Sequence, residues 1–258
     1  MTSVILAATW HPRGELPRLR QLLPRLHDAY SGIALALPPD VGAEEALYLQ
    51  ELVGSGATIP ADWAQGRHAA LQRALDFPGS HIHYADLDRL LHWMEAYPAE
   101  WAQTLAVIPG HDCLILGRTL RAWATHPRAL GETERSINEV FSHLLGQAMD
   151  FGAGSRGFSR PAVEFLLTNS PPGHAPGTDA EWPVLLHRGG FTVDYLAVEG
   201  LEWETPDRAA GGVASEEVRR EAAAAYDQDT RHWLARTALA LEIIQAGLEA
   251  TRQEVHRA

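Results

Sequence analysis

Lysine is missing from this chain: the 21 residues counted as Lys plus Arg are all arginine. A Walker-type phosphate loop needs a lysine to reach the phosphates and a Schiff-base enzyme needs an amine, so both chemistries are excluded. Cysteine is nearly missing too. The single Cys113 permits no internal disulfide and no cysteine-built zinc site. Its place in the apolar run Cys113-Leu114-Ile115-Leu116 predicts a buried core thiol rather than a nucleophile. No window supplies the ~20 consecutive apolar residues of a membrane span, and no G-x-G-x-x-G follows a strand-like run, which removes support for a dinucleotide fold. Positive charge is scarce: the formal charge of −12 with no arginine stripe argues against a nucleic-acid partner. The first residues, Met1 to Thr9, carry no basic leader, and with the cysteine usage this predicts a cytoplasmic protein.

What is present alternates. Strand-like apolar runs at Val4 to Thr9, Ile33 to Leu37, Ala57 to Ile59, His81 to Asp86, Leu114 to Gly117 and Thr192 to Val198 are separated by helical spacings. Among these are Leu16, Leu19, Leu22, Leu23 and Leu26 on one face, Trp63 to Leu75, Pro98 to Val107, and Glu132 to Leu145. Alternation of this kind predicts an α/β fold with a mostly parallel sheet flanked by helices. Two loops stand out: the glycine-rich stretch Phe151 to Ser159, which permits close backbone approach to a ligand, and the Pro/Gly/Ser segment Thr168 to Thr178.

The stretch His81-Ile82-His83-Tyr84-Ala85-Asp86-Leu87-Asp88-Arg89 reads as a buried strand that ends in two carboxylates one residue apart. Open parallel sheets place their ligand crevice at such strand ends. Paired carboxylates there form a hard-oxygen site suited to Mg²⁺ or Mn²⁺, which fill the rest of the shell with water and ligand phosphates. The competing reading is a helix-capping Asp beside a solvated one. His81 and His83 alternate away from Asp86 and read as packing residues.

The order of these pieces resembles the GT-A glycosyltransferases of the family 2 type, nucleotide-diphospho-sugar transferases related to the polyprenol-phosphate sugar synthases. The resemblance runs from Val4 to Glu204. It is carried by the first strand, Gly66-Arg67-His68-Ala69-Ala70-Leu71, Asp86-Leu87-Asp88 as the family's metal-binding pair, Leu116-Gly117-Arg118, and the acidic helix start Asp179 to Glu181 ahead of Gly190-Phe191-Thr192-Val193. Two features depart from the family: Trp10-His11-Pro12-Arg13 follows the first strand where Tyr-Asn-Glu is usual, and no Glu-Asp pair precedes the late helix.

The resemblance implies transfer of a sugar from a nucleotide-diphosphate donor to an acceptor that the sequence does not identify. Asp88, with Asp86 as second ligand or ribose contact, would hold the cation that stabilises the departing phosphate. Donor contacts are implied for Thr9, Trp10, Arg13, Arg67, Asp86, Arg118 and Arg156, with Trp10 stacking on the base and the arginines gripping phosphate. Asp179 or Glu181 would be the general base. A third metal ligand is sought downstream, at Glu202 first, with Glu204 beside it and His187 as a weaker choice. Two alternatives stay open: a non-catalytic sugar-nucleotide-binding or scaffold protein of the same fold, and a sugar-1-phosphate nucleotidyltransferase, whose glycine-rich basic N-terminal loop is absent here.

The GT-A-like unit is expected over residues 1–206 and a helical extension over 207–258, joined by a hinge at Asp207 to Gly212. Ser215-Glu216-Glu217 is a capped helix start. Leu234, Thr237, Leu241, Ile244 and Leu248 form a narrow apolar seam. It is expected to pack on the sheet or, in a homodimer, on a second subunit.

Overall fold

A computed structural model describes residues 3–173 and 175–256; Met1, Thr2, His174, Arg257 and Ala258, at the edges of the ranges and loop named above, lie outside the described residues. The chain starts with β1 (Val4–Thr9), α1 (Leu16–Ala29), β2 (Ile33–Ala36), α2 (Ala43–Val53), β3 (Ala57–Thr58) and α3 (Gly66–Ala74). It continues through β4 (His81–Asp86), α4 (Leu87–Ala96), α5 (Pro98–Val107), β5 (Cys113–Arg118), α6 (Leu120–Ala124) and α7 (Arg128–Leu145). The remainder is β6 (Ser155–Ser159), α8 (Arg160–Asn169), α9 (Thr178–Gly189), β7 (Val193–Val198), α10 (Asp207–Ala210), α11 (Glu216–Gln228) and α12 (Thr230–Ala250).

The seven strands form one sheet in the order β3-β2-β1-β4-β6-β5-β7. Its pairs are parallel except those that β6 makes with β4 and β5. Every residue of β1 is buried, as expected for a strand covered on both faces. Ile5 and Ala7 join one core with Tyr84, Phe158 and Trp182; Val4, Leu6 and Ala8 join the other with Leu19, Leu90 and Trp93. Each large side chain so buried contributes roughly 1.5–3 kcal/mol.

Strand β6 lies inside the glycine-rich stretch expected to be a loop. Ser155-Arg156-Gly157-Phe158-Ser159 has no apolar alternation, yet all five residues are buried because neighbouring strands pair with both edges. The histidines follow the packing reading. His83 is fully buried between the Tyr30 hydroxyl at 2.7 Å and the Ser155 hydroxyl at 2.9 Å, and burial pushes its pKa down to about 3. Cys113 is fully buried, and burial pushes its thiol up to about 12.

The segment expected to be a hinge is anchored at its first residue. Asp207 is fully buried; it accepts from Arg18 at 2.9 Å, His92 at 2.7 Å and the Ala214 amide at 2.9 Å. Helix α12 packs on α7 and α9 of the same chain, but through Ala240, Ile243, Gly247 and Ala250. Most of the expected seam faces outward instead: Leu234, Leu241 and Leu248 are exposed at 74%, 56% and 42%, Thr237 is exposed too, and of the five only Ile244 packs against the core. Close helix approach selects small side chains, which composition ranks below leucine as core. Among the described residues no helix is long and apolar enough to cross a membrane.

Candidate functional site

The C-terminal ends of β1 and β4 lie side by side, with Thr9 opposite Asp86 in the parallel register. Strand order reverses between them: β2 and β3 lie on one side of β1, and β4 opens the other. Connections diverge at such a switch point and leave a crevice. Two cavities occupy it. The larger, of about 290 Å³, is bordered by Arg67, Asp86, Arg89 and Asp179 on its polar side and by Ile137, Leu239, Ala240 and Ile243 on its apolar side. The smaller, of about 230 Å³, is bordered by Trp10, His11, Arg13, Asp88, Glu204 and Arg208. Thr9, Trp63, Asp86 and Arg89 border both, so these are two lobes of one cleft.

Asp86 stands at their junction. Its Oδ1 accepts from Thr9 Oγ1 at 3.2 Å and from the Tyr84 hydroxyl at 3.1 Å, and its Oδ2 faces Arg89 Nε at 3.8 Å. Gly154, with φ at 68°, lies against Oδ2 so closely that a Cβ would collide with it; only glycine meets both demands. Asp88 lies in the first turn of α4 rather than in a loop. Its Oδ1 accepts the Arg89 amide at 3.0 Å, and its Oδ2 accepts Arg208 Nη2 at 2.8 Å. Glu204 points its Oε2 into the same region without a hydrogen bond, 3.8 Å from Arg89 Nε. Burial, reinforced by Asp88, raises that carboxyl above the ordinary range against the pull of Arg89.

Asp179 borders the larger lobe, held by Arg67 at 2.5 Å and Arg156 at 3.0 Å on its Oδ1. Burial alone would raise its pKa, but Arg67 and then Arg156 more than offset that and hold it below the usual carboxylate range. The same pairing raises Arg67 against its own burial.

The sequence-derived candidates therefore divide. Thr9, Arg67, Asp86 and Asp179 meet at the larger lobe, and Thr9, Trp10, Arg13, Asp86 and Asp88 at the smaller. Arg118, Arg156, Glu181 and Glu202 border neither. Arg118 was expected beside the carboxylates, but β6 separates its strand from β4. Its guanidinium is spent on Asp150 at 2.7 Å and Glu134 at 2.6 Å and stacks 4.2 Å above the Trp123 ring. Arg156 is wholly buried and serves Asp179 and the Phe151 carbonyl. Glu181 accepts the Ser170 hydroxyl at 2.8 Å. Glu202 is held by His92, Tyr97, Arg121 and Arg219 beside a separate cavity of about 500 Å³. Burial works against its charge, yet His92 and Arg121 lower its pKa to about 2. His187 is exposed in the last turn of α9. Trp10 is only 2% exposed, which leaves its ring no open face for a base.

Sequence reasoning named Glu204 only as second choice to Glu202, and it missed Trp63, Arg89 and Arg208 as cleft residues. Arg89 adjoins the aspartates in sequence. Trp63 and Arg208 carry no local signal, since their place depends on the path of distant segments.

Among the described residues, no three carboxylate, imidazole or thiol side chains converge on a ready-made cation site. Asp86 and Asp88 supply two carboxylates, the number Mg²⁺ takes when water and ligand phosphates complete its shell. Glu204 Oε2 is an orphaned buried oxygen of the kind such a shell would satisfy. The donor set therefore fits a hard cation shared with a ligand.

Comparison with protein-family models and with curated proteins returns no match for this chain.

Proposed function

We propose that this chain is a metal-assisted glycosyltransferase of the GT-A type, moving a sugar from a nucleotide-diphosphate donor to an acceptor hydroxyl. The observation that carries the reading is Asp86: a carboxylate at the switch point of the sheet, shared by two lobes whose linings together offer Arg13, Arg67, Arg89 and Arg208. A protein of net charge −12 that gathers arginines around a carboxylate pair is arranged to accept an anion together with a cation.

In this reading Asp86 and Asp88 would hold Mg²⁺ or Mn²⁺, with water and the donor's phosphates completing the shell. The bound ion would stabilise the negative charge left on the diphosphate when its bond to the anomeric carbon breaks. Arg13 and Arg89 add fixed positive charge around the diphosphate. Trp63, bordering both lobes, takes the stacking role first expected of Trp10. Asp179 accepts the acceptor's proton as the new glycosidic bond forms, in a reaction that inverts the anomeric carbon. Its Arg67 and Arg156 partners keep it ionised at neutral pH and limit its strength as a base.

A non-catalytic sugar-nucleotide-binding protein is the second reading, favoured by the Asp88–Arg208 ion pair, which occupies one of the two metal-directed carboxylates. Thermal melting against a panel of nucleotide sugars with Mn²⁺ tests the first reading, since a ligand of the folded state raises the midpoint. Stabilisation with slow donor hydrolysis, abolished in Asp86→Asn, supports transfer. Stabilisation without hydrolysis supports the second reading, and stabilisation by no nucleotide sugar rejects both.

A further inference from the structure

The group that holds Asp88 is itself a cation. Arg208 reaches Asp88 Oδ2 with Nη2 at 2.8 Å and Glu15 Oε1 with Nε at 2.7 Å. A divalent ion on Asp88 would have to share one carboxylate with that guanidinium, and two cations at contact distance repel. The backbone under Arg208 is fixed through its neighbour Asp207, fully buried and bonded to Arg18, His92 and the Ala214 amide. Only the side chain is free to yield, and with a quarter of it exposed it has room.

Glu15 supplies the pivot. It is 1% exposed, and its other oxygen is fixed by the Arg13 amide at 2.7 Å, so it cannot follow a moving arginine. We propose that Arg208 has two positions: without ligand it neutralises Asp88, and when a divalent cation takes Asp88 it pivots on Glu15 and turns its Nη groups onto the anion that accompanies the cation. The inference rests on the preceding reading for the identity of that anion, a diphosphate. A guanidinium fork suits phosphate oxygens as well as it suits a carboxylate. Arg208 thus trades one anionic partner for another within the smaller lobe it already borders.

Such a residue has effects of opposite sign on the two ligands, which a merely structural arginine does not. Calorimetric titration of wild-type protein and Arg208→Gln with Mn²⁺ alone, and then with preformed manganese–pyrophosphate complex, reads both. Arg208→Gln is expected to bind Mn²⁺ about fivefold more tightly, because the competing ion pair is gone, and manganese–pyrophosphate at least about fivefold more weakly. Equal or weaker Mn²⁺ binding in the variant overturns the proposal, and so does unchanged pyrophosphate binding. If Arg208→Gln melts before the titration temperature, Arg208→Lys replaces it. The lysine keeps the charge but lacks the fork that engages Glu15 through Nε and Asp88 through Nη2, so the same two directions are expected at smaller size, and their absence is equally fatal. Wild-type protein that binds neither titrant overturns this proposal and the metal-assisted reading together. Wild-type binding of both, with no split in the variant, removes only the role of Arg208.

Discussion

Thr9 and Asp86 sit 77 positions apart in the chain, and the threonine hydroxyl donates to the Asp86 carboxylate at 3.2 Å. The contact joins the ends of the two strands between which the sheet changes direction. It leaves Oδ2 of the carboxylate facing the cleft and Arg89.

Asp86→Asn should separate binding from stability. The amide keeps an oxygen to accept from Thr9 and Tyr84, so the unfolding free energy should stay within about 1 kcal/mol of wild type. Mn²⁺-dependent stabilisation by nucleotide sugar should vanish, because a neutral amide is a poor cation ligand. Urea unfolding and thermal melting with ligand check the two halves.

Asp179→Ala should destabilise strongly. Arg156 is fully buried, and its Nε and Nη1 already lack partners; losing Asp179 strips away its countercharge at a cost of about 3–5 kcal/mol. The Asp179 carboxylate titrates below its unfolded value, so its stabilisation is present above about pH 4 and is lost as pH falls through the lower folded pKa. The deficit of Asp179→Ala relative to wild type, measured by urea unfolding, should therefore shrink at acid pH.

His83 carries a second pH signature, of different origin. The unfolded chain takes up its proton near pH 6.5, whereas folded His83 stays neutral until about pH 3. Between those values the unfolded state binds more protons, so stability falls as pH falls, by up to about 1.4 kcal/mol per pH unit. His83→Gln, which stays neutral, should flatten the stability curve between pH 6 and 4 relative to wild type in urea melts at stepped pH.

Gly247→Val should loosen α12. A Cβ at this position would press on the Phe141 ring and lie 2.7 Å from Ala180 Cβ, so overpacking should cost roughly 1–3 kcal/mol. Because Leu239, Ala240 and Ile243 of the same helix border the larger lobe, ligand-induced stabilisation should weaken along with the melting temperature. Intact ligand response in a destabilised variant would separate α12 docking from the cleft.

The parallel core of the fold is legible because its strands announce themselves locally. Val4 to Ala8 is a continuous apolar run, Ile82 and Tyr84 alternate with His81 and His83 up to the boundary at Asp86, and the first helix carries Leu16, Leu19, Leu22, Leu23 and Leu26 at three-four spacing. Ser155 to Ser159 defeats that reading, since its pairing comes from β4 and β5 on either side and not from its own side chains. The cleft divides likewise. Asp86 is readable from the end of its strand and Arg67 from the resemblance, but Glu202 and Glu204 look equivalent on the page. Only the turn of the backbone sends one to His92 and the other to Arg89.

Sequence alone determined the class of architecture, the chemistries closed to a lysine-free, nearly cysteine-free acidic chain, and the strand end that carries the carboxylates, because each depends on composition or on neighbours a few residues apart. Tertiary structure decided which arginines are spent in buried ion pairs, which face of α12 packs inward, and that Arg208 meets Asp88 across 120 positions. Those outcomes depend on where distant segments come together. A side chain's charge is written in its identity, but the partner that neutralises it is chosen by the fold.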